Sequence, residues 1–307
     1  MNKDDSVRSA ASPPESGTID GSGSRSARCV LAPNPSPMTL DGTNTWILAA
    51  PGSPSAIVVD PGPADEGHLS RVAGLATRDG RRVAQILLTH GHADHSAGAR
   101  RLAELTSAPV RSADPAYAWS PHRHDGDGLG PGDLLAGPLL TGPLLTGTVL
   151  TGAGCDVEVV VTPGHSGDSV CFWIPADRVL LTGDTVLGRG STVIAGDGNL
   201  GDYLASLDRL RALADSADLA ALLPGHGPVL PDPAAALDYY IAHRRERLAE
   251  VTEALAAGDR TPGQIVARVY ADIDAGLRAF AEWSVRAQLE YLDERGALPP
   301  GVRKNGV

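Results

Sequence analysis

Residues 85–95 read Gln-Ile-Leu-Leu-Thr-His-Gly-His-Ala-Asp-His, so an apolar run passes directly into a cluster of side chains that bind metals. The backbone turns sharply where a strand passes into a helix, so His90 and His92 can point to one centre. Asp94 and His95 then point to a neighbouring one. Imidazole and carboxylate groups suit borderline divalent ions such as zinc, and no cysteine stands nearby to indicate an iron–sulfur cluster or a structural zinc site. The stretch therefore predicts two adjacent metal ions.

Three more candidate ligands each follow an apolar run: His165 in Thr-Pro-Gly-His-Ser, Asp184 in Leu-Thr-Gly-Asp and His226 in Pro-Gly-His-Gly. Side chains at strand ends converge at one edge of a sheet, and the adjacent glycines let the backbone approach closely. A single histidine at a strand end is usually just a hydrogen-bonded side chain, so the prediction depends on the number of candidates. Five histidines and two carboxylates fill two coordination shells, with Asp184 as the bridge and open positions for water.

The other histidines do not follow strands and are predicted to lie outside the metal site: His68, His122, His124 and His243. The segment 122–125 imitates part of the motif, but it lies in a loop rich in Pro and Gly. A five-residue unit of the type Leu-Leu-Thr-Gly-Pro recurs between residues 119 and 154, and its period is too short for a solenoid. We interpret this segment as an expanded loop that leads into a strand near Val157.

Short apolar runs that contain β-branched residues alternate with helical patterns along much of the chain. The runs predict buried strands at residues 56–59, 85–88, 157–161, 179–181 and 220–223. Apolar residues at helical spacing predict helices at 69–76, 99–106 and 204–213, the last with Asp202 as its N-cap. Alternating strands and helices indicate an α/β fold class.

After Pro231 the pattern is helical throughout. Asp232 and Pro233 combine an N-cap with proline at the first helical position. The segment 261–264, Thr-Pro-Gly-Gln, has the form of a capping box that opens a second helix. A third helix is predicted near residues 280–291 and ends at Gly296. Helices of this kind predict a small separate domain at residues 232–307.

The composition limits the classes of function. The chain has 307 residues, of which 42% are hydrophobic, and its formal net charge of -11 gives no global attraction to a phosphate backbone. Its three cysteines form no CxxC pair, so neither a disulfide framework nor a thiolate zinc finger is indicated. No apolar run is long enough to span a bilayer, so we expect a cytoplasmic protein without a membrane partner. Residues 1–28 are rich in small polar side chains and are predicted to form a disordered tail.

Over about residues 30–230 these motifs resemble those of the metallo-beta-lactamase superfamily. The resemblance implies a four-layer αββα sandwich at residues 29–231, with Asp184 bridging two zinc ions. The family's ligand positions divide the other candidates into two sets: His90, His92 and His165 for one zinc ion, and Asp94, His95 and His226 for the other. Asp60, in Val-Val-Asp-Pro-Gly, falls where the family often has an acid that orients a ligand histidine, although an ordinary turn aspartate fits this position equally well.

The same resemblance implies a hydrolase. Two metal ions roughly 3.5–4 Å apart lower the pKa of a bridging water towards about 7 and so supply hydroxide at neutral pH. They also polarise the carbonyl or phosphoryl oxygen of the substrate. Asp94 is expected to orient the hydroxide and to accept its proton, so Asp94 and Asp184 are the predicted catalytic residues.

The C-terminal helices bear on the choice of substrate. They resemble the winged-helix tail of the beta-lactamase-like protein 2 group, which implies an endoribonuclease selective for single-stranded RNA. In that case Arg244, Arg245 and Arg247 meet phosphates. A solvated helix face balanced by Glu246 and Glu250 fits the same residues equally well. Class B beta-lactamases usually lack the histidine that follows the motif aspartate, which counts against antibiotic hydrolysis.

Four hypotheses for the function therefore follow. The first is a phosphodiesterase that acts on single-stranded RNA, and the second is a thioester or lactone hydrolase related to glyoxalase II. The third is a persulfide dioxygenase, a branch that resembles this motif yet binds one iron. The fourth is a nucleic-acid-binding regulator with a vestigial site, which is disfavoured because no metal ligand is missing.

Overall fold

The computed structural model describes residues 24–120 and 149–304, and these residues form two five-stranded sheets packed face to face. Predictions about residues 1–23, about His122 and His124, and about the Leu-Leu-Thr-Gly units before Val149 lie outside the described residues. Within the described ranges, no helix combines the length and the apolar composition that crossing a membrane requires.

The first sheet is built from five N-terminal strands: β1 (Ala27–Leu31), β2 (Asn44–Leu48), β3 (Ser55–Val59), β4 (Arg82–Leu87) and β5 (Val110–Arg111). They lie in chain order, antiparallel from β1 to β3 and parallel from β3 to β5. β1 begins inside the segment that composition assigns to a tail. Every residue of β2 and β3 is buried, as strands that are covered on both faces require.

The second sheet contains the remaining strands: β6 (Val149–Leu150), β7 (Val157–Val161), β8 (Val170–Ile174), β9 (Val179–Gly183) and β10 (Ala221–Pro224). Its order is β10-β9-β8-β7-β6, antiparallel except for the parallel pair β9 and β10. The predicted strands at 157–161, 179–181 and 220–223 correspond to β7, β9 and β10. β8, between β7 and β9, is a strand that the sequence pattern did not predict.

Helices cover both outer faces of the paired sheets. They are α1 (Glu66–Ala76), the single turn α2 (Ala93–Ser96), α3 (Ala99–Thr106), α4 (Leu200–Ser216) and α5 (Pro233–Ala256). Leu69 and Leu102 pack α1 and α3 against the first sheet, while Leu207 and Leu237 pack α4 and α5 against the second. The facing sides of the two sheets form the central apolar core. The predicted four-layer αββα sandwich is therefore confirmed.

The N-terminal ends of α4 and α5 can be compared with the N-caps that the sequence predicts. Asp232 accepts a hydrogen bond from the backbone N–H of Ala235, as predicted for the start of α5. For α4 the prediction is wrong, because the helix begins at Leu200 and its N-cap is Asn199, which accepts from the backbone N–H of Asp202 at 3.0 Å. Asp202 lies in the first turn instead, where its charge favours the helix dipole.

The C-terminal helices form a small apolar cluster of their own. α6 (Pro262–Val269) opens with the predicted capping box, and α7 (Arg278–Glu294) ends before Gly296, which adopts a positive φ of 64°. Val251 at the end of α5 packs with Ile265 and Val285 in this cluster. α5 therefore belongs to both parts of the molecule, since its first half packs on the sandwich. Residues 233–304 are all described and contain helices without a strand.

Ile57 tests the packing between the sheets. Its side chain on β3 is 0% exposed and lies in the central core. We expect Ile57→Ala to lower the free energy of unfolding by about 2–5 kcal/mol, because it removes buried methyl groups and leaves a cavity. Chemical denaturation measures the change. Leu105→Ala on α3 is the matched control, since Leu105 is 40% exposed; equal losses in the two variants would contradict the packing described here.

Candidate metal centre

The candidate ligands lie at one end of the sandwich, in loops that follow four strands. The motif of residues 90–95 follows β4 of the first sheet. His165, Asp184 and His226 follow β7, β9 and β10 of the second sheet. Because these strand ends meet, residues that are distant in sequence come into contact. The structure brings together all seven predicted ligands, in overlapping groups whose donor atoms lie within 4.8 Å of one another.

The first cluster consists of His90, His92 and His165. Nδ1 of His92 lies 3.0 Å from Nε2 of His90 and 3.0 Å from Nε2 of His165. The side chains of His90 and His165 are buried, and His92 is exposed. Three imidazole nitrogens turned to one point are a ligand set that zinc enzymes use when they keep a further position open.

The second cluster consists of Asp94, His95 and His226. Nε2 of His226 lies 3.1 Å from Nε2 of His95 and 3.1 Å from Oδ2 of Asp94. Both imidazoles are 0% exposed, whereas the Asp94 side chain is 30% exposed. The carboxylate of Asp94 therefore marks the open side of this cluster.

Asp184 lies between the two clusters. Its Oδ1 is 3.3 Å from Nε2 of His95 and 3.4 Å from Nε2 of His226, and its Oδ2 is 3.7 Å from Nε2 of His165. Each carboxylate oxygen thus faces one cluster. Oδ1 is buried and has no hydrogen-bond partner in the described part of the chain. A buried carboxylate oxygen without a partner is costly unless a cation binds it.

In His165 and His226 the ring nitrogen that points away from the clusters, Nδ1, contacts a backbone carbonyl group. Nδ1 of His165 lies 2.7 Å from the carbonyl oxygen of Val193, and Nδ1 of His226 lies 3.1 Å from that of Gly42. A carbonyl oxygen only accepts, so each Nδ1 carries a proton and Nε2 is the nitrogen that faces the candidate metal position. Imidazole nitrogens and carboxylate oxygens that lie this close together can bind a divalent cation, and this combination of ligands suits zinc.

Asp60 and Thr89 support the ligands from behind. Oδ2 of Asp60 accepts a hydrogen bond from Nδ1 of His95 at 2.9 Å, and the two Asp60 oxygens accept from the backbone N–H and the hydroxyl of Thr89 at 2.8 and 2.7 Å. The Thr89 oxygen is then left to accept from Nδ1 of His90, 3.0 Å away. Asp60 thus contacts a candidate ligand. Thr89 is a site residue that the sequence prediction missed, and its place directly before His90 is the signal that indicates it.

Two backbone positions in the site accept few residue types. Asp60 has a φ of 51°, in the left-handed region that aspartate and asparagine enter more readily than most residues. A Cβ atom at Gly225 would lie 2.7 Å from Oδ1 of Asp184 and 2.8 Å from Cε1 of His95. Any larger residue at 225 would therefore displace the carboxylate of Asp184, which explains the glycine before His226.

The ionised carboxylate of Asp184 controls the charges in the site. Burial raises the pKa of Asp184, but the imidazoles of His226 and His95 outweigh it and hold that pKa well below its ordinary value. Burial lowers the pKa of His226, and the carboxylate of Asp184 reverses this effect and raises it to about 9. Burial keeps the pKa of His90 well below its usual value, and His95 adds to the effect. Asp184 is therefore ionised at neutral pH, as a metal ligand must be.

A cavity of about 620 Å³ opens beside His92. Three of the side chains that line it are acidic, namely Asp114, Asp168 and Asp197, and none of its described lining residues is lysine or arginine. Oδ2 of Asp168 is buried without a hydrogen-bond partner among the described residues. Burial also raises the pKa of this carboxyl group. Within the described residues, the lining of this cavity next to the candidate metal centre therefore contains carboxyl groups and no basic lysine or arginine.

The arginines on α5 lie away from this cavity. Arg244 is buried, at 5% exposure, and donates a hydrogen bond to the carbonyl oxygen of Thr192. Arg247 forms an ion pair with Glu250 on the same helix. Arg245 is the exposed one, 65% accessible and 3.6 Å from Asp208. The prediction that Arg244, Arg245 and Arg247 all meet phosphates is wrong for Arg244, because its guanidinium group is buried inside the protein.

Residues 38–226, which include every candidate ligand, match the family model described as the metallo-beta-lactamase superfamily. The chain belongs to this superfamily. Its members are generally hydrolytic metalloenzymes that bind divalent metals, so the chain is a superfamily hydrolase. Residues 261–297 match a second model, the beta-lactamase associated winged helix domain, and confirm the predicted C-terminal resemblance.

Individual proteins resemble this superfamily member over most of its length. A beta-lactamase-like protein 2 homolog of Caenorhabditis elegans is 28% identical over 88% of this chain and 84% of its own. An atrochrysone carboxyl ACP thioesterase of Aspergillus fumigatus is 30% identical over 74% of this chain and 64% of its own. The crystal structure of a beta-lactamase domain protein from Burkholderia ambifaria has a TM-score of 0.71 and 26% identity, over 95% of this chain and 94% of that one.

Asp60→Asn tests the support behind the second cluster. Asparagine tolerates the left-handed backbone at this position, but it turns an amide donor or a neutral oxygen towards His95 in place of a carboxylate. We expect the affinity for zinc to fall by roughly 10–100-fold in a protein that remains folded, the usual effect of losing such a partner. Titration of the metal-free protein with zinc against a chromophoric chelator measures this.

Asp65→Asn is the matched control for this substitution. Asp65 caps α1 by accepting from the backbone N–H of His68 at 2.7 Å, and asparagine caps helices equally well. Its zinc affinity should equal that of the unaltered protein. Unchanged zinc affinity in Asp60→Asn would show that this carboxylate does not support the metal centre.

Proposed function

We propose that this protein hydrolyses a thioester or a lactone with the help of two zinc ions. The observation that carries the proposal is the position of Asp184, whose two carboxylate oxygens face two separate groups of imidazoles. A carboxylate shared in this way can bind two metal ions at once, as in hydrolases that use a pair of metals. In the proposed centre His90, His92 and His165 hold one ion, and the second cluster holds the other.

When bound, two zinc ions lower the pKa of a water molecule and polarise the carbonyl oxygen of the substrate. Asp94 is the residue that we expect to handle the proton. Burial opposes its ionisation, but a hydrogen bond from His226 and the charge of His95 keep the pKa of Asp94 below its ordinary value. A carboxylate that is ionised and partly exposed is suited to orient the attacking water and to accept its proton.

The charge of the cavity favours an uncharged acyl group over a phosphodiester. Asp114, Asp168 and Asp197 line the cavity that opens beside His92 of the first cluster. RNA brings several phosphates, each of which is repelled by these carboxylates, whereas a thioester or lactone is neutral at the reacting carbon. This reverses the order of preference that the sequence alone suggests. The similarity to the relative named as an ACP thioesterase also supports a thioester substrate over RNA.

Hydrolysis of single-stranded RNA is the second candidate. Its support is the similarity to beta-lactamase-like protein 2 homologs, which extends over 88% of the chain and includes the region of the winged helix model. In this case Arg245 is the most accessible phosphate contact of the three arginines on α5, because its side chain is 65% exposed, whereas Arg247 is 23% exposed and Arg244 is buried.

Metal removal tests the proposal most directly. We expect the purified chain to contain about two zinc ions, and to hydrolyse S-lactoylglutathione or a lactone from a panel that also includes single-stranded RNA. Dialysis against a chelator should abolish turnover, and added zinc should restore it. Turnover of RNA alone would favour the second candidate. Elemental analysis that finds about one iron per chain would favour a persulfide dioxygenase.

Asp184→Ala tests whether this carboxylate is needed for metal binding and turnover in a chain that still folds. Loss of the shared carboxylate should lower both the metal content and the turnover rate by more than roughly 100-fold, beyond the loss expected for a group that merely supports a ligand. Asp215→Ala is the control, since Asp215 is an aspartate on α4 with a side chain 67% exposed. Full activity in Asp184→Ala, with a circular dichroism spectrum like that of the unaltered protein, would contradict the proposed centre.

Salt dependence distinguishes the two substrate classes. Release of counterions makes the binding of single-stranded RNA weaken by roughly 300-fold or more between about 50 and 200 mM salt when six or more phosphates are contacted. A lactone without charged groups has no such term, so we expect its kcat/KM to change by less than about twofold over the same range. Initial rates at a series of NaCl concentrations measure both, and a steep loss with the lactone would contradict recognition of a neutral group.

A further inference from the structure

α5 carries a buried arginine that the proposed function does not use. Arg244 is 5% exposed, although it stands in the charged stretch His-Arg-Arg-Glu-Arg at residues 243–247. Its Nε has no hydrogen-bond partner, and no carboxylate lies within ion-pair distance of it, among the residues that the structure describes. A buried cation without a carboxylate is costly, so the groups that it does contact must hold it in place.

The contacts of Arg244 are a ring and a carbonyl group. The guanidinium carbon lies 5.1 Å from the centre of the Tyr203 ring, within the range of a cation–π interaction. One guanidinium nitrogen donates to the carbonyl oxygen of Thr192. Thr192 is 3% exposed and belongs to the segment 185–199, which connects Asp184 with α4. Arg244 thus fixes the backbone of a loop that begins at the bridging carboxylate.

The same loop orients a candidate ligand of the first cluster. Nδ1 of His165 lies 2.7 Å from the carbonyl oxygen of Val193 and 2.9 Å from the hydroxyl oxygen of Thr192. These two partners determine that the proton stays on Nδ1 and that Nε2 faces the other imidazoles. Arg244 therefore holds, by one hydrogen bond, the two residues that set the orientation of His165.

A second residue of α5 fixes the loop nearer to Asp184. The hydroxyl of Tyr240 accepts from the backbone N–H of Leu187 at 2.9 Å and donates to its carbonyl oxygen at 3.1 Å. Tyr240 is 4% exposed and lies one helical turn before Arg244. The loop is thus attached to α5 at two points, one near its start and one at its middle.

We propose that Arg244 is a positioning residue that holds Thr192 and Val193 so that His165 presents Nε2 to the first metal position. The inference rests on the proposed metal centre. It gives α5, the helix that leads into the C-terminal domain, a direct role in metal binding by the sandwich. Tyr240 assists by fixing the start of the same loop.

Arg244→Met tests this role with the metal alone as the probe. Methionine keeps the apolar stem and removes the donor to Thr192. In titrations of the metal-free full-length chain with Co²⁺, followed by absorption spectroscopy, we expect one of two binding steps to weaken by roughly 10–100-fold and the other to be unchanged. At saturating zinc, kcat should recover while KM for the ester stays the same.

Arg247→Met is the matched control. Arg247 is a partly buried arginine of the same helix, 23% exposed and 5.8 Å from the ring centre of Tyr270, and it does not contact the loop. Its Co²⁺ titration should match that of the unaltered chain. Arg244→Lys, which keeps the buried charge and one donor, should show an intermediate affinity and provides the test if Arg244→Met does not fold.

A double-mutant cycle identifies the residue through which Arg244 acts. If the effect passes through His165, Arg244→Met should cause no further loss of Co²⁺ affinity in a His165→Ala background. Unaltered Co²⁺ affinity in folded Arg244→Met and Arg244→Lys, or equal losses with and without His165, would overturn the inference and leave the proposed function intact. An unaltered chain that binds neither Co²⁺ nor zinc would overturn the proposed function itself.

Discussion

Imidazole nitrogens and carboxylate oxygens from both sheets converge on one small volume, where a proton or a metal cation must lie between them. The Nε2 atoms of His95 and His226 lie 3.1 Å apart, and Oδ1 of Asp184 is buried beside them without a hydrogen bond. The surrounding structure holds these groups in place. The carbonyls of Val193 and Gly42 and the carboxylate of Asp60 hold the Nδ1 atoms of His165, His226 and His95, so that their Nε2 atoms face the candidate metal positions.

The contacts that orient the histidines extend beyond the sandwich to the helix that leads into the C-terminal region. Arg244 is charged but buried, and its hydrogen bond to Thr192 ties α5 to the loop that orients His165. The first half of α5 packs on the second sheet, and its last turns pack with α6 and α7. The C-terminal helices and the metal centre are therefore mechanically connected through one helix. The matched winged helix region, residues 261–297, is thus linked by packing to the helix that contacts this loop.

The candidate metal positions and the cavity beside them differ in charge. The candidate metal positions concentrate positive charge when they are filled, whereas the adjoining cavity contains carboxylates and no described basic side chain. In the proposed function a neutral acyl group would meet no repulsion in such a cavity, and bound metal ions would stabilise the charge that develops on its oxygen. The arginines of α5, which look like a phosphate-binding stretch in the sequence, mostly serve packing and ion pairing within the protein.

The sequence by itself determined the α/β class, the superfamily and the identity of the seven residues that converge, because ligand side chains directly after apolar strands are a local pattern. Local patterns also predicted the caps at Asp232 and Thr261, since capping depends on neighbours within one turn. Only the tertiary structure decided the rest. The short strand β8 is defined by its pairing with β7 and β9, and the start of α4 by Asn199 one turn earlier than expected. The burial of Arg244 depends on Tyr203 and Thr192, which lie far away in the sequence and approach α5 only when the second sheet and its helices pack together.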